Sequence, residues 1–415
     1  MSGSVDLQEA RNIVIIGGGI IGCTTAYYLT RHPYFSSQTS ITVIEASEYG
    51  PAQGASGKAG GLVARWAYPK ELVDVSFDEH VKLAAEHNGG DRWGWRYVDC
   101  GRWEGRGQNL LNRKDSGSGV GEGGKKKSLE KTLGLDEKKK SRKKTGLPDD
   151  LMWVEEELTD SYTPMAGDKE TAQVHPYLFT TSMWDLASAK GAVLLKGKVT
   201  SIQKTDGRVT GVDYVEGGTH EAMRLSATHV VLAAGAWSSS LLPSLPITGT
   251  RAHSVTIRPK PTVDISPYVL FTEISLPLSA SQRRTVDPEI YARPDGEVYA
   301  CGPGDDSPLP ATVDGVIVDE SACNSVYMHA SSISQALRQG TVEKRQACFL
   351  PSVSVGGGPI IGDARHIAKG LVIATGHTCW GISNAPGTAR VLCEIIMDGT
   401  ARSVNLRKMQ PSIFV

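Results

Sequence analysis

No apolar run in this 415-residue sequence approaches the roughly 18 residues that a membrane-spanning helix needs. The opening residues MSGSVDLQEA lack the hydrophobic stretch of a secretory signal, and the closing SIFV is not a common peroxisomal tripeptide. Cysteine is sparse: seven residues, scattered, odd in number and never spaced C-x-x-C, which argues against a disulfide framework and against a zinc site. None of the histidines has metal-like spacing, so no metal is expected. The net charge of -1 leaves no overall field to draw in nucleic acid or an anionic membrane. A small-molecule ligand and a reducing, cytoplasmic setting are the expectations that these absences leave.

What is present reads as an ordinary globular chain of about two domains, 40% hydrophobic and 21% charged. Ile13–Ile16 is a short β-branched run closed by glycines, which predicts a buried parallel strand. A helix is expected over Ile20–Leu29, stopping near His32-Pro33, and a second strand over Ile41–Ile44, making a βαβ unit. Further along, a helix is expected over His175–Ala189. Strand runs follow at Val193–Lys196, Val199–Gln203 and Val209–Val215, with Asp206-Gly207 as a hairpin turn. Val230–Ala234 and Leu371–Thr375 read as buried strands, Ser325–Arg338 and Ala389–Met397 as helices. The stretch 243–320 reads as the sheet of a second domain, with alternation at Glu297–Ala300 and Gly315–Val318. The segment Arg113–Lys144 stands apart. It holds twelve Lys/Arg against five Asp/Glu and no aromatic residue, and is expected to be a disordered, solvated insertion or a docking segment for a protein partner.

The first chemical motif is Gly17-Gly18-Gly19-Ile20-Ile21-Gly22, a G-x-G-x-x-G placed between a strand and a helix. Gly17 allows the tight turn, Gly19 lets a pyrophosphate approach the backbone, and Gly22 lets the helix pack on the strand. The helix N-terminus presents unpaired N–H groups to the anion. Glu45, at the end of the second strand, is placed to bind ribose hydroxyls. By itself the motif leaves NAD(H) and FAD open.

Four blocks extend the pattern: VIIGGGIIGCTTAYYL (Val14–Leu29) with Glu45, GASGKAGG (Gly54–Gly61), VVLAAGAWS (Val230–Ser238), and PIIGDA followed by ATGHTCWGISNAPGTARVL (Pro359–Ala364, Ala374–Leu392). With these the chain resembles the D-amino-acid oxidase family of FAD-dependent oxidoreductases, in a fungal-type branch similar to glycine and sarcosine oxidases. The resemblance implies an α/β fold, with a Rossmann-type FAD-binding domain and an antiparallel α+β substrate domain interleaved in sequence. The expected division gives 10–66, 160–240 and 345–405 to FAD and 67–112, 147–159 and 241–344 to substrate, with 113–146 as the basic insertion. It further implies that Gly17, Gly19, Ile20, Ile21 and Gly22 hold the pyrophosphate and Glu45 the ribose. Ser56, Gly57, Lys58 and Gly61 would line the pyrophosphate and the flavin's dimethylbenzene side, and Val199 would meet the adenine. Ala234 and Gly235 would cover the ADP, and Gly376, His377, Gly381 and Ile382 would wrap the isoalloxazine. Relatives that bind FAD covalently do so through a cysteine in a place similar to Cys348; the reading favours non-covalent FAD, with Cys348 the alternative attachment.

The chain also departs from that pattern. Glycine oxidase-like enzymes place two arginines where this sequence has Leu350 and Cys379, so the usual amino-acid carboxylate lacks its bidentate partner. Arg65, in Arg65-Trp66-Ala67-Tyr68, is the replacement that sarcosine-type enzymes point to. Lys58 and Trp380 are further substrate-binding candidates, and no catalytic residue is named. The implied reaction is oxidation of a C–N bond in an amine or amino-acid derivative, by hydride transfer to flavin N5 with dioxygen as acceptor. A flavin dehydrogenase with another acceptor and a non-catalytic FAD-bound scaffold are the competing readings.

Overall fold

Alternate residues of the first strand enter two different cores, and the molecule is built outward from that alternation. In the computed structural model, which describes residues 10–108, 110, 144–279 and 282–415, Arg11–Ile16 is the central strand of an eight-stranded sheet. Ile13 and Ile15 face a helical layer, whereas Val14 and Ile16 face a second core shared with Val199, Val212 and Tyr214. Burial on both faces is why the strand reads as an unbroken β-branched run. Across the sheet the order is Ala222–Ser226, Arg208–Glu216, Val193–Thr205, Thr39–Glu45, Arg11–Ile16, His229–Leu232, Leu371–Thr375 and Ile360–Asp363. The middle five strands are parallel, and the flanking ones antiparallel. Ile20–Leu29, Pro176–Ser188, Lys70–Glu86 and Gly381–Asp398 form the helical layer. Among the described residues no helix is long and apolar enough to cross a membrane.

The second sheet runs Thr341–Val353, Ile247–Arg258, Val298–Asp305, Glu289–Ala292, Tyr268–Pro277, Asp99–Arg106 and Thr159–Pro164, with Arg283–Val286 added beside Tyr268–Pro277. It is antiparallel except where Tyr268–Pro277 runs parallel to Asp99–Arg106. Three short strands, Leu62–Ala64, Thr171–Gln173 and Arg96–Tyr97, form a small antiparallel sheet.

Several elements differ from expectation for identifiable reasons. The runs at 193–196 and 199–203 are one strand, because a bulge between Val199 and Ser201 absorbs the break in alternation. Gly315–Val318 forms no strand; a 3₁₀ turn over Val313–Gly315 occupies its start. The helix expected over Ser325–Arg338 is two pieces. It begins at Glu320, where the Asp319 carboxylate accepts the Ser321 and Ala322 N–H groups, and ends at Ser331. A separate turn, Gln335–Arg338, starts from a Ser334 cap. The last helix begins at Gly381, eight residues before the expected Ala389. Pro386, inside it, has no N–H to bond the Ile382 carbonyl, and His80 Nε2 lies 3.0 Å from that oxygen instead. Gly387 permits the matching close approach of Lys70–Glu86, since a β-carbon there would stand 2.3 Å from Ser76 Oγ.

These contacts also move segments relative to the expected division. Lys70–Glu86 packs in the helical layer of the parallel sheet, while Thr159–Pro164 and the whole of Thr341–Val353 belong to the second sheet. Nearly all of the basic segment, through Lys143, lies outside the described residues.

Two buried histidines tie stability to pH. Burial pushes His80 down to about 4 and His377 to about 3, from an ordinary 6.5. The unfolded chain takes up protons on these rings below pH 6.5 and the folded chain does not, so folding weakens as pH falls from 6.5 towards 4 and is unaffected above 6.5. We expect a loss of about 2 kcal/mol per histidine by pH 5. Urea unfolding at pH 7.5 and pH 5 measures it, and equal midpoints would show that the rings are not buried and neutral.

Candidate active site

A cavity of about 750 Å3 draws its walls from both large sheets. One end is the strand-to-helix turn. Gly17 has φ +109°, and a β-carbon on it would lie 2.5 Å from the Ala233 carbonyl oxygen. Gly22 sits tighter still, at 2.0 Å from Gly17 O by the same construction. Gly19, Ile20 and Ile21 line the cavity at the helix N-terminus, where the Ile20 N–H donates to Ser56 Oγ at 2.9 Å. The Glu45 carboxylate accepts the Gly18 N–H at 2.6 Å and the Ser47 N–H at 2.8 Å. Burial raises its pKa, and those N–H groups oppose the rise. Each oxygen keeps a lone pair for a ligand hydroxyl. Val199, Ala234 and Gly235 complete this end.

At the other end His377, Gly381 and Ile382 bring the start of the last helix to the wall. His377 Nε2 is 3.1 Å from Thr388 Oγ1, so its ring is held against that helix. Opposite stand Cys348, Phe349 and Leu350 from one strand of the second sheet, with Phe271, Glu289, Tyr291, Tyr299 and Cys301 from three other strands of that sheet. Trp380 and Cys379 close the space from the loop before the last helix.

The structure therefore gathers at one cavity Gly17, Gly19, Ile20, Ile21, Glu45, Ser56, Gly61, Val199, Ala234, Gly235, Cys348, His377, Gly381, Ile382 and Trp380. Gly22, Gly57 and Gly376 do not line it. They shape the backbone behind: a β-carbon on Gly57 would meet Ala52 O at 1.9 Å, and Gly376 has φ +76°. Lys58 also stays out of the wall, its ammonium donating to Ala347 O at 3.1 Å, and burial lowers its pKa. Arg65 is displaced most clearly. Its guanidinium pairs with Asp78 at 2.6 Å and lies over the Phe77 ring, so it is engaged elsewhere and does not reach the cavity.

Glu289, Tyr291, Tyr299 and Phe271 were not singled out from sequence. The alternation in Glu289-Ile290-Tyr291-Ala292 was available as a strand signal, but no local pattern says that its polar face meets a cavity.

The family model described as FAD-dependent oxidoreductase (DAO) matches residues 12–395. This chain belongs to that family of FAD-dependent oxidoreductases. TDA3 of Saccharomyces cerevisiae, named as an oxidoreductase, is 32% identical, with 99% of this chain and 96% of TDA3 covered. C1F5.03c of Schizosaccharomyces pombe, named likewise, is also 32% identical, over 98% and 99% of the two chains. Among solved structures, glycine oxidase of Geobacillus kaustophilus superposes with a TM-score of 0.69 at 16% identity, covering 96% of this chain and 98% of that one. Iminodiacetate oxidase of Chelativorans gives 0.67 at 20%, covering 96% and 98%. At such identities the structural likeness establishes the fold alone.

Two substitutions test the geometry. Gly22→Ala should destabilise the FAD-loaded protein by about 1–3 kcal/mol and lower its flavin content, read from thermal melts and the protein-to-flavin absorbance ratio. Arg65→Ala should cost about 0–1 kcal/mol, as exposed ion pairs do, and leave flavin content unchanged. Loss of flavin from Arg65→Ala would place that side chain at the cavity after all.

Proposed function

We propose that this oxidoreductase uses non-covalently bound FAD to oxidise the C–N bond of an amine or amino-acid derivative. The observation that carries the reading is the continuity of one cavity, from a glycine turn and a backbone-held carboxylate to a pocket walled by the second sheet. The residues at the first end fit FAD. Gly17 makes the tight turn against Ala233, Gly19 brings backbone to the cavity wall where a pyrophosphate would lie, the helix N-terminus offers its dipole, and Glu45 offers oriented acceptors to a ribose. Ser56 and Gly61 extend that cradle, Val199 takes the adenine side, and Ala234 with Gly235 covers the ADP.

At the second end His377, Gly381 and Ile382 are assigned to the isoalloxazine. The eighteen-residue helix that starts there directs its positive end at the cavity, where it stabilises negative charge. His377, kept neutral by burial, adds no competing cation. When bound, FAD supplies a hydride acceptor at N5, with dioxygen as the onward acceptor. The chain's own part is to position the α-carbon of the amine against that face and to exclude water with Phe271, Phe349, Leu350 and Trp380.

Cys348 lines the cavity, but burial pushes its thiol up to about 11, with Lys58 opposing. A protonated thiol is a poor nucleophile, which supports non-covalent flavin. Acid precipitation of the purified protein should therefore leave the yellow colour in the supernatant. Colour in the pellet, lost in Cys348→Ala, would instead make Cys348 the attachment point. Anaerobic bleaching of the flavin by an amine, followed by peroxide release on admitting air, tests the reaction. Bleaching with slow recolouring in air would turn the reading to a dehydrogenase.

A further inference from the structure

The substrate end of the cavity contains a carboxylate with no cation among the described residues to meet it. Glu289 sits on the strand Glu289–Ala292, beside Phe271 on one neighbouring strand and Cys301 on the other. The Tyr291 hydroxyl donates to its Oε2, and Cys301 Sγ lies 3.8 Å from the same oxygen. Among the described residues Oε1 has no hydrogen-bond partner, and no Lys, Arg or His pairs with this carboxylate. A half-buried carboxylate is costly to leave so, and two donors on one oxygen orient it without neutralising it.

The cations nearby are committed elsewhere. Arg293 is buried and paired with Glu297, and its second nitrogen donates to Ala59 O at 2.8 Å. Arg96 donates to Ala292 O at 2.9 Å, and Arg65 is held by Asp78. Lys198 is the one Lys or Arg in the described cavity wall, and it neighbours Val199 at the nucleotide end. A ligand carboxylate entering beside Glu289 would thus meet a like charge and no guanidinium.

The surrounding walls are aromatic and mutually braced. Trp66 holds Phe271 and Trp380 edge to face, at centroid distances of 5.9 and 5.7 Å, and is itself fixed by a 2.9 Å bond to Thr171 Oγ1. Tyr291 and Tyr299 stand edge to face at 5.6 Å. Aromatic rings around a lone carboxylate form a site for an organic cation, since both ring faces and carboxylate attract positive charge.

We infer that the substrate is a basic amine without a carboxylate, its ammonium docked on Glu289 Oε1 among Phe271, Tyr291, Tyr299 and Trp380. This rests on the amine-oxidising reading above and narrows it: the docked ammonium gives one proton to Glu289 Oε1, and the neutral amine then gives up its α-hydride to leave an iminium. Oε1 has two lone pairs, so it can receive two N–H donors, which suits a primary or secondary ammonium.

The test uses the FAD-loaded full chain with benzylamine and N-methylbenzylamine as cationic probes, and glycine and sarcosine as carboxylate-bearing ones. Binding is measured by anaerobic calorimetry and by perturbation of the flavin spectrum, neither of which needs turnover. The aryl amines should bind, glycine and sarcosine should bind at least tenfold more weakly, and Glu289→Gln should weaken the amines by about ten- to a hundredfold. Glu289→Asp, which keeps the charge, should recover part of the loss, and thermal melts of both variants should match the parent. Tighter binding of glycine than of benzylamine, failure of both amines to bind, or indifference of amine affinity to Glu289→Gln would each overturn the inference. Glu289-dependent amine binding without flavin bleaching would uphold this site and sink the oxidase reading. Bleaching by glycine alone would do the reverse.

Discussion

The bond from the Gly18 N–H to Glu45 Oε2, 2.6 Å long, joins the end of the second strand to the turn that follows the first. The turn must therefore lie flat against its neighbour, and only glycines permit that. Gly17 is pressed on Ala233 O and Gly22 on Gly17 O, so the chain leaves the strand and enters the helix within a space that no side chain could share. The rest of the nucleotide end follows. Ser56 reaches the Ile20 N–H because the helix starts where it does, and the Glu45 carboxylate is aimed before any ligand arrives. Preorganisation of this kind spares a ligand the cost of ordering its own site.

That part of the molecule was legible in the sequence because its determinants are local. Val14–Gly22 carries strand, turn and helix in nine residues, and the helix Ile20–Leu29 has the bounds that its pattern indicates. The same holds for the Asp206-Gly207 turn and for Leu371–Thr375. Where long-range contacts decide, local pattern misled. The last helix was expected only from Ala389; it starts at Gly381 and contains Pro386, and the ring of His80, some three hundred residues away in sequence, meets the Ile382 carbonyl that the proline cannot bond. Arg65 looked like a substrate ligand on motif grounds, but Asp78, a few helical turns along, claims it. Cys348 lines the cavity, and its strand is fixed by pairing with Ile247–Arg258.

The end of the cavity walled by the second sheet was the least legible because its residues are distant in sequence and become neighbours only through the order of that sheet. Phe271, Glu289 and Cys301 lie on three successive strands, and their side chains share a face by register. Leu350 and Cys379 told what was missing, namely a guanidinium for a carboxylate. What stands there instead, a carboxylate and braced rings, required the sheet. The two observations agree in sign: among the described residues the wall around Glu289 presents an anion and no Lys or Arg.

The longest ladder among the described residues pairs Ile247–Arg258 with Thr341–Val353. Its ends lie in different cores: Ile247 and Val353 in the one beneath the parallel sheet, Val255, Ile257 and Val342 in the one of the second lobe. The pocket wall at Cys348–Leu350 lies between them on the same strand. A one-residue slip reverses which side chains face in, so alignment here is a single decision made jointly by both cores. The lobes are consequently not modules that selection can exchange freely. A change of chemistry in this wall is therefore made by replacing alternate side chains on a fixed ladder, with the path of the chain unaltered.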